Sequence, residues 1–362
     1  MNHQEKKIKE FVFFSAGPVG DHVILVDFAD RFFEASGVSS TIIMKHPSSF
    51  LEDFITPYKD HVSFLRFTGL KGKISLIKFI ISSIFIPRCY VNVLPIIPPL
   101  YYKLFAYFIR FCTRSRFVGF NLEGSKSFPA GKGSSYFLGK NNLIDARIDK
   151  NLFYQEANRM LLFLGYKENM RPPYIKCIED KKLLTDFSLA ENSYLVMHLA
   201  ASHPDRSFPS DKWNRIIKAL QKELPEASII FTGSSQDKEF LEACLEGVEQ
   251  ERICRVYGKA TAQQLLTLHT QAKLNVTVHT GNAHFINMLH VPVVNINIKG
   301  VFFFKFFYNE KETELVSKKE CTCDPYERNC TMLPYKGEKY MACLFNIPEE
   351  EVIKTITLRF KE

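Results

Sequence analysis

The stretch with the clearest chemical potential is Val276–Ile286, which reads VTVHTGNAHFI. An apolar run ends at His279 and Thr280, and a helix-like segment follows Gly281, so the pattern predicts strand, turn and helix. Free N–H groups of a first helical turn and the positive end of its dipole form a site for an anion such as phosphate. The alternative is an ordinary turn, with Thr280 as a plain N-cap and His284 as a satisfied, partly buried histidine.

A second candidate is the glycine-bearing turn Ser15–His22, which follows the apolar run Phe11–Phe14 and precedes an amphipathic helix. Its Gly-x-x-Gly-Asp spacing differs from the dinucleotide fingerprint, which disfavours a nicotinamide enzyme. Asp21 stands at the start of the helix. A carboxylate there is either a helix-start residue stabilised by the dipole or a general base presented to a substrate.

Apolar runs typical of strands alternate with amphipathic helical patterns along most of the chain. This alternation predicts parallel sheets covered by helices on both faces, an α/β fold of two Rossmann-like domains facing across a cleft. We place the first domain at residues 1–170, a linker at 171–192 and the second domain at 193–345. A final helix at 346–362 is expected to return to the first domain.

Polar or glycine-containing loops follow four of the predicted strands, at residues 17–21, 202–206, 232–235 and 279–284. In doubly wound sheets ligands bind at the carboxyl ends of the strands. We therefore expect these four loops to form the functional site. Residues 122–150, rich in Gly, Ser, Lys and Asn, are predicted to be loops near a substrate entrance.

The composition is that of a folded protein: 362 residues, 46% hydrophobic and 24% charged, with a formal net charge of +8. This charge is compatible with a phosphate-bearing substrate, a nucleic acid or an anionic membrane. We recognise no basic face with base-stacking aromatic residues, so no nucleic-acid partner is expected. No leader-like segment begins the chain, and we expect a cytoplasmic protein.

Two very apolar helices are predicted at residues 74–87 and 101–112, edged by lysine and arginine. Those cations interrupt the apolar run before it reaches the roughly 18 uncharged residues of a spanning helix. Such helices pack in a core or rest in the headgroup region of an anionic membrane. We favour the core for most of their aromatic residues and keep peripheral membrane contact as the alternative.

Four of the nine cysteines, Cys321, Cys323, Cys330 and Cys343, lie near the end of the chain. Four thiolates are the usual count for a structural zinc site, but C-x-C is not the commonest ligand spacing. We favour structural thiols in a reducing compartment and predict no metal site.

Several motifs, in their order along the chain, resemble those of glycosyltransferase family nine, the ADP-heptose:lipopolysaccharide heptosyltransferases of GT-B fold. The similarity is collinear over most of the chain and weakest between residues 60 and 150. It rests on these segments: Val19–Leu25, His198–Trp213, Phe231–Ser235, Val256–Leu266, His279–His284, and Cys330 with Cys343–Val352.

The resemblance implies an inverting, metal-independent transfer of a sugar from a nucleotide diphosphate sugar, with an ADP-sugar favoured and no cofactor. The acceptor would be a lipopolysaccharide-like glycolipid or an oligosaccharide, bound by the first domain at the inner face of the inner membrane. Asp21 would be the general base, with Gly17 and Gly20 in the acceptor-side loop. The second domain would bind the donor through Ser202, Arg206, Gly233, Ser234, His279, Thr280, Gly281, Asn282 and His284.

The chain departs from the family at His279, where the family motif begins with an acid that is thought to hold donor-sugar hydroxyls. An imidazole is not a purely accepting group as a carboxylate is. This departure leaves two choices for the donor sugar, heptose or a different sugar. The alternative is a catalytically inactive nucleotide-sugar-binding or scaffold protein of the same fold.

Overall fold

The computed structural model describes residues 8–15, 19–44, 49–92, 115–121, 143–145, 153–169, 171–201, 203–298, 309–317 and 331–362. These residues form two compact units, and the division between them falls at Pro173 and Tyr174. The division lies inside the stretch 171–192 that we predicted to be a linker.

The described part of the first unit contains a parallel sheet with strand order β3-β2-β1-β4-β5-β6. The order reverses between β1 and β4, which makes their carboxyl ends the topological switch point where ligands bind. The strands are β1 (Glu10–Ser15), β2 (Ser40–Met44), β3 (Val62–Arg66), β4 (Arg88–Asn92), β5 (Arg116–Asn121) and β6 (Leu143–Asp145). The described helices are α1 (Val19–Ser36), α2 (Ser49–Phe54), α3 (Gly69–Ser82) and α4 (Phe153–Phe163).

Helix α1 is buried along most of its length and carries charged residues into the core of the first unit. Asp27, Asp30 and Arg31 are all at most 3% exposed. Arg171 joins this helix to the end of the unit, because its Nη1 contacts Asp27 Oδ1 at 2.8 Å and its Nη2 contacts Asp30 Oδ2 at 2.9 Å. Arg31 Nε also binds Asp27, at 2.8 Å. Buried charges are tolerated when they are paired in this way.

The second unit has the same topology, with strand order β12-β11-β10-β7-β8-β9 among its described residues and a switch point between β7 and β10. The strands are β7 (Tyr194–His198), β8 (Ser228–Phe231), β9 (Ile253–Arg255), β10 (Leu274–Val278), β11 (Val293–Ile296) and β12 (Glu312–Leu315), with a separate hairpin of β13 (Met332–Tyr335) and β14 (Glu338–Met341). The helices are α5 (Lys181–Asp186), α6 (Ser210–Glu223), α7 (Lys238–Cys244), α8 (Ala262–Thr270), α9 (Gly281–Met288), α10 (Ala342–Phe345) and α11 (Glu349–Lys361).

The core of the second unit gathers around Trp213, which is 0% exposed and packs on Phe208 at a ring-centroid distance of 4.9 Å. Helix α11 contributes Val352, Ile356 and Phe360 to the same core. These three side chains pack within the second unit, and the expected return of the helix to the first domain stays a prediction.

The elements differ from the sequence predictions in two places. The apolar helix predicted at residues 74–87 is α3, which runs from Gly69 to Ser82. Strand β6 lies inside the stretch 122–150 that we predicted to be loops, so that prediction was wrong at Leu143–Asp145. The predicted helix at 101–112 lies outside the described residues. Within the described part of the chain, no helix is both long and apolar enough to cross a membrane.

Candidate functional site

The switch point of the second sheet brings two of the predicted loops together. Strands β7 and β10 are neighbours, and Thr277 of β10 is in register with His198, the last residue of β7. The chain continues from His198 toward Arg206 and from Val278 into His279 and α9. Because both strands run in parallel, the two loops leave the sheet at the same edge.

The loop that carries Arg206 is fixed from the core side. Ser207 donates its hydroxyl to the Leu199 carbonyl at 2.6 Å and accepts from the indole of Trp213 at 3.1 Å. Arg206 ends a short 3₁₀ helix, Pro204–Arg206. Its Nε is buried and has no hydrogen-bond partner within the described part of the chain. A buried donor in this state is expected to complete its bonding with another group.

Thr280 is the N-cap of α9, as the simpler of our two interpretations predicted. Its Oγ1 accepts from the backbone N–H of Asn282 at 3.1 Å. The motif predicts that this N–H also faces an anion; in the structure it donates to the Thr280 cap. The Asn282 side chain is 7% exposed and its Nδ2 lies 3.5 Å from Nε2 of His269. Thr280 and Gly281 stay candidates for the predicted anion site.

The loop after β8 is stabilised by its own residues. Ser234 forms a capping box with Asp237, whose Oδ2 accepts from the Ser234 N–H at 2.6 Å and from its hydroxyl at 2.7 Å. The hydroxyl hydrogen of Ser234 is therefore used within the loop, and its predicted place at the donor stays a prediction. Gly258 packs against this loop with φ +70, where a Cβ would lie 3.0 Å from Ser235, and its N–H donates to Gly233 O at 3.0 Å.

Four histidines at or near this edge are held neutral. Burial lowers the pKa of His198 and His279 to about 4, and that of His269 and His284 to about 3. The charge of Arg206 further lowers the pKa of His279, which places the two side chains within electrostatic range of each other. At neutral pH the positive charge facing an anion therefore comes from Arg206 and not from imidazolium.

Hydrogen bonds also fix which nitrogen of His279 carries the proton. Asn297 donates its Nδ2–H to Glu314 Oε1 at 2.6 Å, which turns its Oδ1 toward His279 Nδ1 at 3.3 Å. An amide oxygen can only accept, so Nδ1 of His279 bears the hydrogen and Nε2 keeps its lone pair. The neutral His279 thus offers one acceptor, at Nε2, while its Nδ1–H donates to Asn297.

Sequence reasoning missed Asn297 and Glu314. Asn297 directly follows β11 at the carboxyl edge, the same signal that identified the other loops. Glu314 lies on the edge strand β12, whose sequence ETEL has too few apolar residues to predict a strand.

In the first unit, Asp21 lies in the first turn of α1 and Gly20 is buried beside it. This turn follows β1 at the switch point of its sheet. Gly17 and Ser202 lie outside the described residues, as do Cys321, Cys323 and Cys330. Cys343 is buried in α10. Among the described residues, no three His, Cys, Asp or Glu side chains are arranged to hold a metal ion.

Comparison with known proteins decides the family. The model of glycosyltransferase family 9 (heptosyltransferase) matches residues 144–334, more than half of the chain. The chain belongs to glycosyltransferase family 9. A sequence search among curated proteins finds no match.

Solved structures of family 9 proteins share the fold at low sequence identity. ADP-heptose lps heptosyltransferase II of E. coli is 14% identical with a TM-score of 0.68, covering 98% of this chain and 99% of its own. A family 9 glycosyltransferase from Veillonella parvula is 15% identical with a TM-score of 0.66, covering 98% and 97%. E. coli heptosyltransferase WaaC with ADP is 12% identical with a TM-score of 0.62, covering 97% and 99%. This family 9 chain therefore has the GT-B fold and is a glycosyltransferase.

Proposed function

We propose that this family 9 glycosyltransferase transfers a sugar from a nucleotide diphosphate sugar to a glycolipid or oligosaccharide acceptor, with inversion and without a metal ion. The observation that carries the donor assignment is the buried, unpartnered Nε of Arg206 at the switch point of the second sheet. Guanidinium is suited to grip two phosphate oxygens. An ADP-sugar is the favoured donor, since WaaC structures were solved with ADP and with ADP-2-deoxy-2-fluoro heptose.

The leaving diphosphate gains negative charge as the glycosidic bond to the nucleotide breaks. Arg206 and the N–H groups of Thr280 and Gly281 would stabilise that charge from fixed positions. Ser202, Gly233 and His284 would line the donor. His279 would accept a sugar hydroxyl through Nε2, because its Nδ1 is committed to Asn297.

We propose Asp21 as the general base that takes the proton from the acceptor hydroxyl. Its position at the switch point of the first sheet and its place in the family's N-terminal motif support this role. The family match begins at residue 144, so it does not reach Asp21, and the assignment needs its own test. A lipopolysaccharide-like acceptor would place the protein in the cytoplasm, at the inner face of the inner membrane.

The first experiment is a thermal-shift screen against ADP, UDP, GDP and their sugar conjugates. A ligand that binds only the folded protein raises the unfolding temperature. We expect a shift with ADP and its conjugates. No shift with any nucleotide would reject the donor site and favour the alternative, a scaffold protein without sugar-transfer activity.

The second experiment measures donor binding and donor turnover separately, in the wild type and in Asp21→Asn. The variant removes the proton acceptor and keeps the side-chain size, so donor binding should persist while transfer falls by about 10²-fold or more. Equal rates of transfer in both proteins would exclude Asp21 as the base. Donor binding without turnover in the wild type would favour the inactive alternative.

A further inference from the structure

Helix α3 of the first unit presents an apolar stripe to the outside. No residue of this fully described helix is buried. Leu70, Ile77 and Ile81 are 76%, 55% and 49% exposed, and Phe85 in the following turn is 75% exposed. Monomeric proteins rarely expose several large apolar side chains side by side without a partner.

The stripe follows the helical repeat. At 3.6 residues per turn, Leu70, Ile74, Ile77 and Ile81 fall within an arc of about 60° around α3. The opposite face is the one that meets the sheet: Leu76 and Phe79 pack against its core, and a Cβ on Gly72 would lie 2.9 Å from the backbone of Phe67. Helix α3 thus has one face that packs on the sheet and a second apolar face that is exposed.

Charge identifies the occupant of the second face. Lys71, Lys73 and Lys78 are exposed and flank the stripe on both sides. The chain contains no Asp or Glu between His61 and Leu122, a stretch that holds nine lysines and arginines. An apolar stripe edged by cations, without acids, complements an anionic bilayer, where side chains enter the headgroup boundary and lysines meet lipid phosphates. A protein partner would not require a surface free of acids.

We propose that α3 is a membrane-docking helix that lies in the headgroup region of an anionic bilayer. Leu70, Ile74, Ile77, Ile81 and Phe85 enter the lipid, and Lys71, Lys73 and Lys78 bind the anionic headgroups. The surface would bring the enzyme to an acceptor held in the membrane. That purpose rests on the proposed function, whereas docking itself does not.

Vesicle sedimentation tests the proposal on the full chain without any donor or acceptor. The vesicles are phosphatidylethanolamine with phosphatidylglycerol, and phosphatidylcholine alone. We expect strong binding to the anionic vesicles and weak binding to phosphatidylcholine. Binding to the anionic vesicles should weaken between roughly 0.1 M and 1 M salt, because the Debye length falls from about 10 to about 3 Å. No binding to anionic vesicles would overturn the proposal and leave the nucleotide thermal shift, and so the proposed function, untouched.

The test variant is Ile77→Glu/Ile81→Glu. We expect it to lose binding by about tenfold or more, because two apolar contacts are replaced by charges that anionic lipid repels. The matched control is Leu162→Glu/Leu358→Glu, which makes the same change at side chains that are 49% and 54% exposed on α4 and α11. It should bind like the wild type. Equal loss in both variants, or none in the test variant, would contradict the assignment of α3.

A second variant guards against misfolding. Lys71→Glu/Lys78→Glu alters only exposed cations and should reduce binding to anionic vesicles with an unchanged unfolding temperature. Unchanged binding in this variant would show that the lysines of α3 do not bind the anionic headgroups, which would contradict the proposal. Light scattering of the wild type and of Ile77→Glu/Ile81→Glu tests the alternative that a second copy of the chain covers α3. A dimer that the substitutions dissociate would show that α3 meets a second copy and would overturn membrane docking.

Discussion

The neutral histidines of the second unit predict a steep loss of stability in mild acid. Each of His198, His269, His279 and His284 has a pKa lowered to about 4 or about 3 in the folded chain. An unfolded histidine has its pKa near 6.5. Between that pH and about 4, the unfolded chain therefore binds protons that the folded chain excludes, and unfolding becomes more favourable as the pH falls.

The magnitude follows from the same pKa values. For each histidine, lowering the pH from about 7 to about 5 reduces the free energy of unfolding by about 2 kcal/mol, at about 1.4 kcal/mol per pH unit below 6.5. Four such sites give at most a loss on the order of 7 kcal/mol; since His198, His279 and His284 are only partly buried, we expect several kcal/mol, a large part of the stability of a domain. Carboxylates contribute little in this window because they ionise near pH 4. We expect the second unit to be markedly less stable at pH 5 than at pH 7.

The assay uses the single tryptophan of the chain as a reporter of this unit. Trp213 is fully buried in the core of the second unit, so its fluorescence follows the unfolding of that unit in urea. We expect the urea midpoint to fall strongly between pH 7 and pH 5. In His269→Gln the free energy lost over that range should be smaller by about 2 kcal/mol. A urea midpoint that is constant with pH would refute the reasoning.

Three further predictions concern single contacts. Arg206→Ala should weaken ADP binding by about 1.5–3 kcal/mol, the value of hydrogen bonds to a charged group, as measured by titration calorimetry. The control replaces Arg215, an exposed arginine of the same unit, and Arg215→Ala should bind ADP like the wild type. Equal affinities of Arg206→Ala and the wild type would exclude Arg206 from the donor site. Thr280→Ala should lower the free energy of unfolding of the second unit by about 1 kcal/mol through loss of the α9 cap, and Thr280→Ser should restore most of it; an unchanged urea midpoint in the alanine variant would contradict the cap. Arg171→Ala should destabilise the first unit by about 1.5–3 kcal/mol, because Asp27 and Asp30 each lose a charged hydrogen-bond donor while Asp27 keeps Arg31, and a melting curve by circular dichroism that matches the wild type would show that Arg171 contributes nothing.

The placement of the candidate loops could be predicted from the sequence because parallel sheets leave little choice. Once strands and helices alternate, loops after β7 and β10 must leave by the same edge, and His198 and His279 mark those ends. The short strands β6 and β12 could not be predicted, since each has few apolar residues in a row. Edge strands bury less surface, so the apolar pattern that identifies a strand is weak there.

The hydrogen bonds within the loops could not be predicted from the sequence either. Ser234 hydrogen bonds to Asp237, and the N–H of Asn282 to Thr280, and residue types alone do not predict these contacts. Ser, Thr and Asp favour such local bonds at helix starts, and the same residue types recur in phosphate sites. Residue type alone therefore does not distinguish a cap from a ligand contact, and the backbone geometry has to decide.

The direction of the hydrogen bonds around His279 explains how the chain can depart from the family's acid and still present an acceptor. A carboxylate such as Glu314 only accepts, so the Asn297 amide must point its N–H₂ toward it and its oxygen toward His279. The imidazole, kept neutral by burial, then has one lone pair left at Nε2. A carboxylate offers four lone-pair sites and Nε2 offers one. Under the proposed function, this position holds a single hydroxyl of the donor sugar, so the donor need not be heptose.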